Sequence, residues 1–215
     1  MHLKRQKAPK NWPIKRKGTA FVVRPNFSIE KGIPVLIILR DFLKIAQNRK
    51  ETKQAIHNKQ ILLNNKIVKD EKNNALLFDT ISILPSKKFY RVELSDKGRF
   101  QMTEIKEEES HRKVSKILNK KTLKGKKTQL NLSDGRNIIT DIKCRMNDSV
   151  LLNFRERKIE KCLPMKAKEK VFVFSGKHSG KRGVINKMIQ EKKIAELQVN
   201  EKSINVLIKH LIVTE

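Results

Sequence analysis

The stretch Gly176-Lys177-His178-Ser179-Gly180-Lys181-Arg182 comes nearest to a chemical motif. Glycines interleaved with cations can bring backbone amides and ammonium groups to bear on phosphate oxygens. A nucleotide-hydrolysing loop has the pattern GxxxxGK followed by Ser or Thr. Here the glycines are one residue too close, and Arg182 stands where the magnesium-binding hydroxyl belongs. Nucleotide hydrolysis is therefore rejected. Two readings of the loop stay open. Either Lys177, His178, Lys181 and Arg182 are held out to phosphate, with Gly176, Gly180 and Gly183 allowing close backbone approach, or the loop is a plain turn between barrel strands with solvated lysines. The five histidines (His2, His57, His111, His178, His210) are scattered, with neither HExxH nor Cys/His spacing. Cys144 and Cys162 form no CxxC pair, which suits a reducing compartment and points to neither a disulfide framework nor a zinc site. No paired carboxylates fall in an acid–base motif. The expectation is a protein with no catalytic residues, no metal, no cofactor and no small-molecule substrate.

The chemistry that is abundant is cationic. Lys and Arg number 50 against 22 Asp and Glu, a net charge of +28 over 215 residues. Such an excess repels itself in a free globule and fits a polyanionic partner, where each neutralised phosphate releases counterions. A membrane surface is the other large anion, but the longest apolar run, Val35 to Leu39, is five residues, far short of the ~20 needed for a span. The basic N-terminus lacks the apolar core of a secretion signal, so the expected location is the cytoplasm. Aromatic residues are only 5% of the chain, which argues against a platform that stacks single-stranded bases on exposed rings. Backbone and shape recognition of folded RNA fits better.

The elements that must position these charges can be read along the chain. Residues 1–25 hold Lys4, Arg5, Lys7, Lys10, Lys15, Arg16, Lys17 and Arg24, no acid and three prolines, which predicts an extended arm that orders on RNA. Trp12 is its one large anchor, and packing against its own protein is the favoured reading over stacking on a base. From Pro34, Leu36, Leu39, Leu43 and Ala46 follow helical spacing, with Arg40 and Lys44 on another face. A second helix begins near Asn48, with Glu51 completing a capping box, and carries Arg49, Lys50, Lys53 and His57. Strands at 61–63 and 66–68 flank an Asn64-Asn65 turn, and another strand follows at 81–84. Beyond Phe89 the chain reads as β, with a helical turn near 104–109. Residues 112–127 form a basic stretch containing Arg112, Lys113, Lys116, Lys120, Lys121, Lys124, Lys126 and Lys127. An Asp134-Gly135 turn beside Arg136 marks a hairpin, and short strands from Val171 to Val213 predict a small barrel.

These residues resemble a known family. His2-Leu3-Lys4-Arg5, Ala8-Pro9-Lys10, Trp12-Pro13, Pro34 through Leu43, Asp79 through Ile83, Tyr90-Arg91-Val92, Lys97-Gly98-Arg99 and Gln129 through Ile138 together resemble the small-subunit ribosomal proteins of archaea and eukaryotes named S-four-e. The ending near Glu215 resembles archaeal members. The resemblance implies an α+β, multi-domain chain. It consists of a basic arm (1–33), an S-four-type RNA-binding module (34–86), a central β domain (87–165) and a KOW-containing SH3-like barrel (166–215), with the KOW motif at 169–195. In the S-four-type module it implies RNA contacts by Arg40, Arg49, Lys53, His57 and Lys66, while Lys59 and Asn65 stand where that module usually has glycine. With these go Lys4, Arg5, Lys10, Lys15, Arg16 and Lys17 of the arm, Lys44, Lys59, Lys120, Lys121, Lys124 and Arg136, and the glycine-loop residues. The implied role is a structural constituent of the small ribosomal subunit, cytoplasmic, bound to small-subunit rRNA and to neighbouring ribosomal proteins. Two other classes compete with it: an RNA-modifying enzyme with an S-four-type module, such as a pseudouridine synthase, and a transcription factor using the KOW barrel.

Overall fold

The N-terminal segment has little apolar material, and in the computed structural model it folds by docking what it has. The structure describes residues 2–123, 125, 127–189, 193–199 and 202–214. They divide into two compact units, the first running to Ser95 with Arg99–His111, the second comprising Asp96–Gly98 and the chain from Arg112. Composition predicts an extended arm; instead, β1 (Leu3–Lys4) and β2 (Phe21–Val22) pair antiparallel and close the segment on itself. Leu3 and Trp12 are buried. The Trp12 indole donates to the Gly32 carbonyl at 3.0 Å, satisfying the one polar atom that its burial would otherwise strand. The expected packing of Trp12 on its own protein is what the structure has.

Still in the first unit, β3 (Gly32–Pro34) leads into a helical segment. Five consecutive apolar residues leave that segment no solvent face, and Val35 through Leu39 are all buried. It starts as α1 (Val35–Ile37) and widens into a π-type turn over Ile38–Phe42, where the Leu43 amide donates to the Ile38 carbonyl at 2.9 Å. Helical spacing predicts continuation to Ala46. The chain stops earlier because Lys44 adopts φ +53° and both the Ile45 and Ala46 amides return to the Leu39 carbonyl. Then α2 (Arg49–His57) begins as predicted, with the Asn48 carboxamide accepting from the Glu51 amide at 3.0 Å. The return bond of the capping box lands one residue early: the Glu51 carboxylate accepts from the Gln47 amide at 2.7 Å. Replacing Asn48 with alanine is expected to cost about 1 kcal/mol, read as a lower urea midpoint with an unchanged slope.

The remaining strands of this unit are β4 (Ile61–Leu63), β5 (Lys66–Ile67), β6 (Asn74–Leu76), β7 (Thr80–Ile83), β8 (Lys88–Leu94) and β9 (Phe100–Ile105). Five of them form one antiparallel sheet in the order β5-β4-β7-β8-β9, while β6 pairs with β3. A short helix, α3 (Glu107–Ser110), follows β9. The turn between β4 and β5 has φ +51° at Asn64 and +60° at Asn65, the paired left-handed residues that a two-residue hairpin of type I′ requires. Lys59, at the other usual glycine position, also has positive φ, +57°.

In the second unit the long strand β10 (Arg112–Thr122) is shared. Its first half pairs with β13 (Ser149–Asn153) and its second half with β11 (Thr128–Leu132), the change falling at a register shift after Ile117. With β12 (Asn137–Thr140) and β14 (Lys158–Leu163) this gives the order β12-β11-β10-β13-β14. A second five-stranded antiparallel sheet is built from β15 (Lys170–Val173), β16 (Arg182–Ile189), β17 (Ile194–Val199), β18 (Lys202–Leu207) and β19 (Leu211–Val213), in the order β18-β17-β16-β15-β19. Each sheet has its own apolar cluster. One centres on Val171, Val173, Ile185, Leu197 and Leu211, the other on Ile117, Leu130, Leu132, Val150 and Leu152. Against the α+β expectation, the chain is mostly β, with few and short helices among the described residues. No described helix is long and apolar enough to cross a membrane.

Candidate nucleic-acid interface

The structure sorts the predicted cations by residue type. Most lysines stand in solvent, whereas several arginines are already engaged by the protein. In the N-terminal segment Lys4, Lys10, Lys15, Arg16 and Lys17 are exposed. Arg5 is not free in the same way. Its guanidinium donates to the Thr19 carbonyl at 2.6 Å, the Lys15 carbonyl at 2.6 Å and the Thr19 hydroxyl at 2.8 Å. It therefore clamps the loop that presents Lys15 to Lys17.

In the helical part of the first unit, Arg49, Lys53 and His57 recur every four residues on α2, a spacing that aligns side chains along one helix face. Lys53 and His57 are exposed, as are Lys44, Lys59 and Lys66. Arg49 turns back to the buried Glu71 carboxylate, its Nε at 2.8 Å. That contact raises the Arg49 pKa further, the hydrogen bond outweighing desolvation. Arg40 is held by the neighbouring Asp41 through two bonds, Nε to Oδ1 at 3.2 Å and Nη2 to Oδ2 at 2.8 Å.

In the second unit, the basic stretch divides along β10. Lys120 and Lys121 are exposed, with the Lys120 ammonium donating to the Cys144 carbonyl at 3.3 Å. Lys113 and Lys116, earlier in the same strand, are buried. Lys124 lies outside the described residues. Arg136 packs over the Phe154 ring, 4.4 Å from its centroid, with Nε 3.5 Å from Asp134.

The glycine loop joins β15 to β16, two antiparallel strands, so no helix follows it as a nucleotide-binding loop requires. Gly176 and Gly180 sit at φ +92° and +94°. Gly183 is needed for a different reason: a Cβ there would stand 2.6 Å from the Gln198 carbonyl. The amides of Ser179, Gly180 and Lys181 are spent inside the loop on the carbonyls of Gly176, Val173 and His178. Lys177 is exposed, His178 and Lys181 half-buried, and Arg182 exposed over Phe172 at 5.9 Å.

Sequence distance misleads for the cysteines. Cys144 and Cys162 pack into one cluster as free thiols. Burial, and then a hydrogen bond with Cys144, push the Cys162 thiol up to about 12, which makes it unreactive as a nucleophile. Among the described residues no three His, Cys, Asp or Glu side chains stand together as metal ligands. Sequence reasoning missed Lys72, which lies in no basic run yet lines a cavity with Arg24, Arg40 and Arg49.

Comparison with known proteins places the chain in a family. A family profile described as "Ribosomal family S4e" matches residues 86–159, and one described as "RS4NT (NUC023) domain" matches residues 1–27. The chain is 38% identical over 190 residues to a "Small ribosomal subunit protein eS4" of Methanocella arvoryzae, covering 87% of this chain and 80% of that one. It is 37% identical to the protein of the same name from Methanothermobacter thermautotrophicus, covering 87% and 78%. The crystal structure of the 30S ribosomal protein S4e from Thermoplasma acidophilum superimposes with a TM-score of 0.73 at 24% identity, over 86% of this chain and 95% of that one, and so shares its mostly β fold. Identity and coverage at these levels show that the chain belongs to ribosomal family S4e, a family of ribosomal proteins and not of enzymes.

Proposed function

We propose that the chain is a structural constituent of the small ribosomal subunit that binds small-subunit rRNA and supports assembly and translation. The observation that carries this reading is the pairing of two facts: kinship with eS4 proteins over most of the chain, and a net charge of +28, with most of the candidate lysines standing in solvent. Its partners are small-subunit rRNA and neighbouring small-subunit proteins, and its place is the small subunit in the cytoplasm. Residues 34–86 act as an S4-type RNA-binding module and 87–165 as a central β domain. Residues 166–215 act as a KOW-containing SH3-like barrel; five short antiparallel strands around one apolar cluster support that reading.

Phosphate is met from several sites: Lys4, Lys10 and Lys15 to Lys17 in the basic arm (1–33), Lys44, Lys53, His57, Lys59 and Lys66 in the module, Lys120 and Lys121 on β10, and Lys177, Lys181 and Arg182 at the loop. Where RNA helices crowd, these cations neutralise repulsion between phosphates, which is the contribution to assembly. Co-sedimentation with small subunits through moderate salt is the expected result, and recovery only in the free fraction refutes it. For a single contact, Lys53→Ala should lower the slope of log affinity against log salt by about one, with protein stability unchanged.

A further inference from the structure

A cavity of about 790 Å³ opens in the first unit between the β1–β2 pair and the start of the helical segment, within the roughly 300–1,000 Å³ typical of ligand sites. Arg5, Arg24, Arg40, Arg49 and Lys72 line it, and no carboxylate does. Three of the guanidinium groups are held by hydrogen bonds within the protein: Arg5 by Thr19 and Lys15, Arg40 by Asp41, and Arg49 by Glu71. Such planes are oriented before any ligand arrives, so little side-chain entropy is lost on binding.

The same cavity has an aromatic wall. Phe21 is 54% exposed, although burial is the ordinary fate of a phenylalanine. The His2 ring lies 5.1 Å from it, tilted by 46°. A site for a bare anion has no use for an exposed phenyl ring, and an acidic peptide side chain offers no flat π face to match it. A nucleotide supplies both parts, a base that stacks on an aromatic face and phosphates that guanidinium groups grip.

We propose that this cleft receives one unpaired nucleotide extruded from the bound RNA, its base stacked on Phe21 beside His2 and its phosphates held by the arginines. The inference rests on the RNA-binding reading above and adds a single base-reading point to a protein otherwise built for backbone contacts.

The test uses the full chain with small-subunit rRNA and, as a second probe, a perfect RNA duplex. Phe21→Leu keeps an apolar side chain but removes the π face; Phe21→Trp keeps the face. Phe21→Leu should weaken rRNA binding roughly 5- to 150-fold, the range for one lost base stack, with an unchanged salt slope because no phosphate contact is removed. Phe21→Trp should bind rRNA like the unaltered protein, and neither variant should change duplex binding. Ultraviolet crosslinking of the unaltered complex needs no substitution and should map to Phe21 or His2. Equal rRNA binding by Phe21→Leu, an equal loss on the duplex, or crosslinks confined to residues outside the cleft overturn the proposal while leaving the ribosomal role intact. Failure of the unaltered protein to bind rRNA overturns both.

Discussion

Replacing Lys113 with alanine is expected to lower the unfolding free energy by about 3 kcal/mol, near the lower end of the range for breaking a buried ion pair. Lys113 sits in a stretch that reads as an RNA-facing run of cations, yet its ammonium lies 3.1 Å from the Asp134 carboxylate, with both side chains almost fully buried at 2% and 5% exposure. Removing the lysine leaves a carboxylate in the interior. The cost stays at the lower end because Arg136 is within 3.5 Å and its amide donates to Asp134 at 3.1 Å, so the stranded charge keeps some support. Asp134→Ala should also be destabilising, since it removes the carboxylate that meets the Lys113 ammonium and frees the Asp134-Gly135 turn. The double variant should cost less than the sum of the two. Trp12 belongs to the other unit, so far-UV circular dichroism in urea is the suitable measurement. Lys121→Ala, an exposed cation of the same strand, should stay within about 0.5 kcal/mol of the unaltered protein and weaken RNA binding instead. If Lys113→Ala behaves like Lys121→Ala, the buried pair is not what holds β10.

Why one basic run holds both kinds of lysine follows from strand geometry. Successive side chains of a strand point to opposite faces, and the first half of β10 is covered on both. The odd positions meet the hairpin side: Lys113 reaches Asp134, Ser115 lies 3.3 Å from the Ser133 hydroxyl, and Ile117 joins the cluster of Leu130 and Leu132. The even positions meet the other sheet, where Val114 packs on the Val171 cluster and the Lys116 ammonium donates to the Ile208 carbonyl. Composition shows eight cations in sixteen residues but not which faces are covered.

Local chemistry was legible for the same reason that this was not. The Asn48–Glu51 cap spans four residues and the Asn64-Asn65 turn two, and both form where the sequence predicts them. By contrast, the partners that decide the fate of the cations lie far away: Glu71 is 22 residues from Arg49, Asp134 is 21 from Lys113, and Ile208 is 92 from Lys116. The helix after Pro34 was legible in kind but not in extent, because its end depends on Lys44 turning left-handed. Of the candidate RNA contacts, the exposed lysines follow from residue type alone. The cleft at Phe21 needs the N-terminal segment folded against Arg40, Arg49 and Lys72, which no local pattern announces.

Lys116 differs from Lys113 in that no carboxylate among the described residues pairs with it, and its stability effect should depend on pH. Burial pulls its pKa down from 10.5 to about 8, a difference worth about 3 kcal/mol. Below pH 8 the lysine is charged in both folded and unfolded chains, and the folded state bears the full penalty of a buried ammonium. Between 8 and 10.5 the unfolded chain binds the extra proton, so stability rises with pH. Above 10.5 both states are neutral and the penalty is gone. Other lysines also lose charge over this window and relieve self-repulsion, so the informative quantity is a difference. Lys116→Met, similar in length and flexible enough to fill the space, removes the titration but strands the Ile208 carbonyl, at about 1–3 kcal/mol. At pH 7 the two changes nearly offset, with the balance leaning towards the variant. By pH 10.5 the unaltered protein should have gained about 3 kcal/mol relative to Lys116→Met, measured by urea unfolding across the range; parallel curves would rule out a charged buried lysine. The same substitution has a second readout. Burial first, then Lys209 and Lys116, lower the His210 pKa, and that ring packs edge-on to Phe174 at 6.3 Å with its Nδ1 against Gly176. Removing the Lys116 charge should therefore raise the His210 titration midpoint in proton NMR, carrying a change in the core out to the base of the glycine loop.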